Sequence, residues 1–233
     1  MEINYKYVIL GVVVLILIGG FIYITKPGIF YSGSETASCN KVIYTGEPKE
    51  KINVVFMTDV LSDAELKEYA NSLLSISPFS ENKDKFNFFY LKYTPQCELQ
   101  NGGLMCYSFS LIKDSASCPN DFIVAIVNSS NARSSAYMNV ISLNKNLPKT
   151  VLAHEFAHVF ANLADEYVPA VIPRGSKNCQ ASCDKFADPT SCYSGCGNNE
   201  YNRAIFESLM RTLRVNELGK LNQEIITTEI NKY

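Results

Sequence analysis

The chain contains two histidines, and both lie in one five-residue stretch, His154-Glu155-Phe156-Ala157-His158. On an α-helix, residues four apart sit one above the other on the same face, so the two imidazoles can aim at one point about 2 Å from each. A zinc ion there lowers the pKa of water towards 7, and Glu155, one residue round, can take the water's proton as it attacks a carbonyl. The same glutamate can later deliver that proton to a leaving amine. The competing reading is an amphipathic helix with Val151, Leu152, Phe156, Val159, Phe160 and Leu163 facing a core and the histidines on its polar flank. With so few histidines, chance spells H-E-x-x-H on the order of once in a thousand such chains, which makes chance a poor explanation.

One zinc ion held by two histidines needs a third protein ligand and an open position. A helix continued past His158 would carry Asp165 roughly 10 Å along the axis, out of reach. The helix must therefore break, and Asn162 is the natural place because asparagine tolerates the left-handed conformation that ends helices. A turn there swings Asp165 back towards the metal, with Glu166 as the alternative ligand. Carboxylates left on a helix C-terminus would be electrostatically misplaced, which favours the ligand reading of Ala164-Asp165-Glu166-Tyr167.

Several elements must position these groups. Residues 51–59 form an apolar run expected as a buried strand. Ser62 to Glu65 read as a capping box, and Leu66, Tyr69, Ala70, Leu73 and Leu74 follow at helical spacing. Two strands are expected over 86–94 and 104–112, the second after the turn residues Gln100-Asn101-Gly102-Gly103. Residues 121–129 suit the centre of a sheet, 136–143 an edge strand, and Pro148 and Thr150 introduce the motif helix. The order of strands and helices predicts an α/β (α+β) layer fold with a mixed twisted sheet.

A hydrophobic content of 47% in 233 residues supports one good core. The net charge of -2, with lysines and arginines scattered, excludes a phosphate-tracking groove and hence nucleic acid as a partner. Tyr7 to Thr25 is an uncharged apolar run between Lys6 and Lys26, long enough to span a bilayer and lacking a small-x-small cleavage site. It reads as a transmembrane anchor, dividing the chain into 1–26 (anchor), 27–50 (linker) and 51–233 (catalytic domain). A cleaved segment would instead leave the domain secreted.

All eight cysteines follow the anchor, which points to disulfides in an oxidising compartment outside the cytoplasm. Cys97 and Cys106 flank the glycine turn and can staple it. The stretch 167–200 is rich in Pro, Gly, Asn and Cys, with no apolar core of its own. Its CxxxC pairs read better as disulfides than as a second metal site, since structural zinc favours closer CxxC pairs. Spacing leaves the connectivity open, and nested Cys179–Cys196 and Cys183–Cys192 pairs are expected. No pro-segment with a cysteine switch is evident, and Cys39 in the linker is where one would be tested.

Downstream, Glu200 to Arg211 supplies a second signature, and with it the chain resembles the metzincin-like zinc peptidases, more closely the IgA peptidase family of metalloendopeptidases. The residues that carry the likeness are "HEFAH" at 154–158, "LADEY" at 163–167, Tyr201 with Arg203, and "SLMR" at 208–211. The resemblance implies His154, His158 and Asp165 as zinc ligands, Glu155 as general base and acid, and Met210 as an apolar floor beneath the metal. The substrate is expected to be a peptide or protein, extended beside the edge strand at 136–143 through main-chain hydrogen bonds, with Tyr167 or Tyr201 assisting the oxyanion. The longer metzincin motif would place Gly at 161 and His at 164, where this chain has Ala161 and Ala164. Two rivals use the same residues: a disulfide-rich surface binding protein that cleaves nothing, and a zinc amidase acting on a cell-envelope component.

Overall fold

The structure, a computed structural model, describes residues 38–233. The elements in chain order are β1 (Asn40–Ile43), β2 (Ile52–Thr58), α1 (Asp63–Leu73), β3 (Phe86–Lys92), β4 (Glu98–Gln100), β5 (Gly103–Met105), α2 (Phe109–Ser115), β6 (Phe122–Val127), β7 (Ser135–Tyr137), β8 (Val140–Asn144), α3 (Val151–Ala161), β9 (Cys179–Gln180), β10 (Tyr193–Cys196), β11 (Asn198–Arg203) and α4 (Lys220–Ile230). The fold is mixed α/β. The proposed anchor over residues 7–25 lies outside the described residues, among which no helix is long and apolar enough to cross a membrane.

Six strands form the main sheet in the order β1-β3-β2-β6-β8-β7. The inner four run parallel and the two edge strands are antiparallel to their neighbours. β2 sits at the centre because every one of its residues is buried, as a strand covered on both faces requires. Its alternation sorts the two layers: Ile52, Val54 and Phe56 face α1, α3 and α4, while Val55 and Met57 face the layer that contains Leu111 of α2.

The helix carrying the histidines is fixed to the sheet by aromatic rings. Phe156 lies 5.1 Å from Phe122, 5.6 Å from Phe79, 6.2 Å from Phe86 and 5.1 Å from Phe160. Each such side chain, removed from water, contributes about 1.5–3 kcal/mol. The capping box of α1 forms as expected, with Ser62 accepting from the Glu65 N–H and Glu65 accepting from the Ser62 N–H.

Some sequence expectations change. The stretch 104–112 is not one strand: β5 ends at Met105, and Ser108, whose hydroxyl accepts from the Leu111 N–H, starts α2 instead. Capping chemistry outweighed the aromatic and aliphatic strand formers there. Residues 136–143 divide into the edge strand β7 and the interior strand β8, with Met138 at φ 53° in the reversal. The stretch expected as linker contributes β1 to the sheet.

Four disulfides form: Cys39–Cys118, Cys97–Cys106, Cys179–Cys196 and Cys183–Cys192. The staple and the nested pairs match expectation, whereas Cys39 is bonded and offers no thiol for latency. Four bridges point to an oxidising, extracytoplasmic environment.

Candidate metal centre

α3 presents Phe156 and Phe160 to the core and His154 and His158 to a cleft of about 500 Å³. The helix ends at Asn162, which adopts the left-handed conformation at φ 51° and ψ 37°. Its side-chain amide donates to the Arg174 carbonyl at 3.1 Å, holding the reversal in place. The turn has two consequences. It places the Leu163 carbonyl 2.6 Å from His158 Nδ1, and it returns Asp165 to the histidines.

The three candidate ligand atoms converge. His154 Nε2 and His158 Nε2 are 3.2 Å apart, and Asp165 Oδ1 lies 3.1 and 3.3 Å from them. Ligand atoms about 2.0–2.1 Å from a tetrahedral ion stand about 3.3 Å from one another, so this triangle has the size of a metal-binding face. The group His154, His158 and Asp165 could hold a metal ion.

The hydrogen bonds behind the ligands favour the same reading. His154 Nδ1 lies 2.9 Å from the Leu209 carbonyl, and a carbonyl only accepts, so Nδ1 of each ring carries the proton. Both Nε2 atoms then point at a buried carboxylate oxygen, Asp165 Oδ1, which no donor among the described residues other than the imidazoles themselves approaches. Three electron-rich atoms at this spacing require a cation or a proton between them.

Electrostatics agree. Burial alone would lower the His158 pKa, yet the hydrogen bond and charge of Asp165, aided by Glu155 and the Leu163 carbonyl, raise it to about 9. Burial would raise Asp165, but hydrogen bonds and charge from the two imidazoles hold it well below the usual carboxylate range. Burial pushes the Glu155 carboxyl up, with both histidines pulling against it. Burial and the Asp165 charge push the Tyr167 hydroxyl up to about 12.

Glu155 lines the cleft beside the histidines, and its carboxylate has no hydrogen-bond partner among the described residues. Tyr167 lines the cleft as well. Tyr201 does not: it packs against Cys179 and Cys196, and Arg203 donates to the Gly195 and Phe206 carbonyls as a structural tie.

The alternative ligand, Glu166, points away from the histidines. Its carboxylate accepts from Asn222 Nδ2 at 2.9 Å, from Asn178 Nδ2 at 3.2 Å and from the Ser208 hydroxyl, and its N–H donates to the Met210 carbonyl at 2.9 Å. Neighbouring carboxylates thus take separate tasks. Asp165 faces the imidazoles, and Glu166 ties the loop to residues 208–210 and to α4. Met210 is fully buried in the core cluster, in the turn whose Leu209 carbonyl orients His154.

Several contributors escaped the sequence reading. Asn178, fully buried, accepts from the Ala164 N–H at 2.8 Å and donates to the Ala164 carbonyl at 2.9 Å, so it fixes the residue before Asp165. Its position beside Cys179 is the one available signal, since the Cys179–Cys196 bridge anchors it. The Leu163 and Leu209 carbonyls carry no side-chain signature at all. Arg133, at the rim of the cleft, lay in a stretch with no motif. No protein-family model and no curated protein matches the chain.

Proposed function

We propose that the chain is a zinc metalloendopeptidase that works outside the cytoplasm, tethered to a membrane by residues 7–25, with a site like that of the IgA peptidase family of metzincin-like enzymes. The observation that carries the proposal is the convergence of His154 Nε2, His158 Nε2 and Asp165 Oδ1, with each imidazole oriented from behind by a backbone carbonyl, beside an unpartnered glutamate in an open cleft. His154, His158 and Asp165 would hold the zinc, and Met210 would lie in the floor of the site. When bound, the ion supplies Lewis acidity to a carbonyl and acidity to water.

The chain's own residues do the rest. A peptide lies extended beside the outer edge of β7, where Ala136, Tyr137 and Met138 line the cleft, and main-chain hydrogen bonds hold it. Glu155 accepts the proton of the attacking water and passes it to the leaving amine, which its position beside the histidines allows. Tyr167 donates its hydroxyl proton in a hydrogen bond to the developing oxyanion. Unchanged turnover in Tyr167→Phe would remove that role.

The test is zinc per molecule in the purified domain, by elemental analysis, with a peptide-library digest alongside. One zinc in the parent, lost in His158→Ala and in Asp165→Ala, is expected, together with cleavage at defined sites. Glu155→Gln should keep the zinc and lose turnover by about 10²–10⁴-fold. Absence of zinc under metal-replete conditions would sink the proposal. Zinc without peptide cleavage, but with activity on cell-envelope material, would move it to the amidase.

A further inference from the structure

A second chamber of about 360 Å³, walled by Leu147, Val151, Leu209 and Leu213, adjoins the cleft. The two chambers share Arg133, Ser134, His154, Glu155 and Tyr167. A substrate passing from one to the other therefore crosses Glu155 with Arg133 beside it. Arg133 is the sole lysine or arginine among the residues lining the cleft; Arg211, which donates to the Phe206 carbonyl at 3.1 Å, lines the second chamber alone.

The arginine is held there by a dedicated device. The β4–β5 hairpin turns tightly at Asn101 (φ 51°) and Gly102 (φ 78°) and is closed by Cys97–Cys106. Its tip receives the Arg133 N–H on the Gly102 carbonyl at 3.0 Å, and the Leu104 N–H returns a bond to the Arg133 carbonyl at 2.9 Å. Arg133 Nη2 donates to the Asn101 carbonyl at 2.9 Å. That is the one hydrogen bond its guanidinium makes among the described residues, and it forms no ion pair with any of them. A guanidinium has five N–H donors in a planar fork, so most of them remain for a ligand.

Charge balance indicates which ligand. Asp165 and Glu155 together offset the two charges of a divalent ion held by the histidines, which leaves Arg133 as unmatched positive charge in the cleft. Planar carboxylates match the guanidinium fork with two parallel hydrogen bonds, which neutral amides cannot do.

We propose that Arg133 is the specificity-determining residue of the cleft, and that it binds a carboxylate carried by the substrate next to the bond that is cut. This rests on the peptidase reading of the site. The carboxylate has two possible sources, and the experiment separates them: an acidic side chain keeps the cut internal, as in the endopeptidase, whereas a free C-terminus beside the cut bond would make the same zinc site that of a carboxypeptidase.

Two matched peptide libraries, with Glu or Gln fixed at the centre and each made as free acid and as C-terminal amide, are digested by the parent, Arg133→Gln and Arg133→Lys. The same libraries are passed over immobilised, zinc-loaded Glu155→Gln protein with and without the Arg133→Gln change, and retained members are read by mass spectrometry. About tenfold preference for a carboxylate is expected in both assays, lost in Arg133→Gln and partly kept in Arg133→Lys. A preference following Glu over Gln assigns the side chain, and one following acid over amide assigns the terminus. Retention of carboxylates without cleavage by the parent would uphold Arg133 and overturn the peptidase. Cleavage without carboxylate preference, or a preference that survives Arg133→Gln, would overturn Arg133 and spare the peptidase. Neither retention nor cleavage would overturn both.

Discussion

Two halves of this molecule build one site by different physics. The sheet half supplies His154, Glu155 and His158 on a helix whose opposite face is buried in phenylalanine rings. The loop half, from Leu163 to Leu218, supplies Asp165 and the Leu209 carbonyl behind His154. Its stapled portion has a small apolar cluster of Ala164, Cys179 and Cys196 with Ile172 and Tyr201 against it, and relies on two disulfides and buried hydrogen bonds. Burial of apolar surface is non-directional and tolerates repacking, whereas hydrogen bonds fix angles. The contrast suits the tasks, because a carboxylate reaching over from a loop to two histidines on a helix must be aimed.

The largest expected effect comes from breaking the sheet half. Phe156→Ala removes the ring at the centre of the aromatic cluster and should cost about 3–5 kcal/mol in denaturant unfolding. Metal binding should fall with it, since both histidines ride on that helix. Opening the Cys179–Cys196 bridge by paired serine substitutions should cost about 2–4 kcal/mol. Here hydrogen exchange should quicken over residues 163–203 while β2, β3 and β6 stay protected; uniform loss would show that the halves are not separable. Glu166→Gln weakens the acceptor for Ser208, Asn178 and Asn222, and should lower metal affinity about tenfold with little change in the sheet half.

The smallest effect is a pH dependence in chelated protein. The folded pKa of His158 is raised from 6.5 to about 9, so its contribution to stability is present in full below about pH 6.5 and lost as pH rises through about 9. Asp165 is shifted the other way, and its contribution is lost as pH falls through its depressed value. Melting temperatures of the metal-free domain should decline between pH 7 and 9, and more shallowly in Asp165→Asn.

The same contrast explains what could be read in advance. The apolar runs of β2 and β6, the capping box of α1 and the H-E-x-x-H helix are local patterns repeated over several residues, so the sequence alone reveals them. Asn162 was legible for a related reason, since a helix that must stop just after its two histidines needs a residue that accepts positive φ. Asn178, Ser208 and Asn222 were not, because each acts on Glu166 from a distant part of the chain with one side chain and no periodicity. The segment 104–112 misled because a single serine cap decided its form. Asp165 was expected to face the histidines with Glu166 as the alternative, but as neighbours of like chemistry they are told apart only by their partners, the imidazoles for Asp165 and Asn178, Ser208 and Asn222 for Glu166.

The Cys39–Cys118 bridge closes a covalent loop between cysteines 79 positions apart in sequence, and that loop contains β1 to β5, α1 and α2. Tension entering the chain upstream of Cys39 and leaving towards the C-terminus would pass through the sulfur bridge to Cys118 and bypass everything between. β2 and β3, the strands at the heart of the sheet, thus lie outside the load path. Mechanical extension of the oxidised domain should fall short of the contour length by the span of that loop, and reduction should restore it.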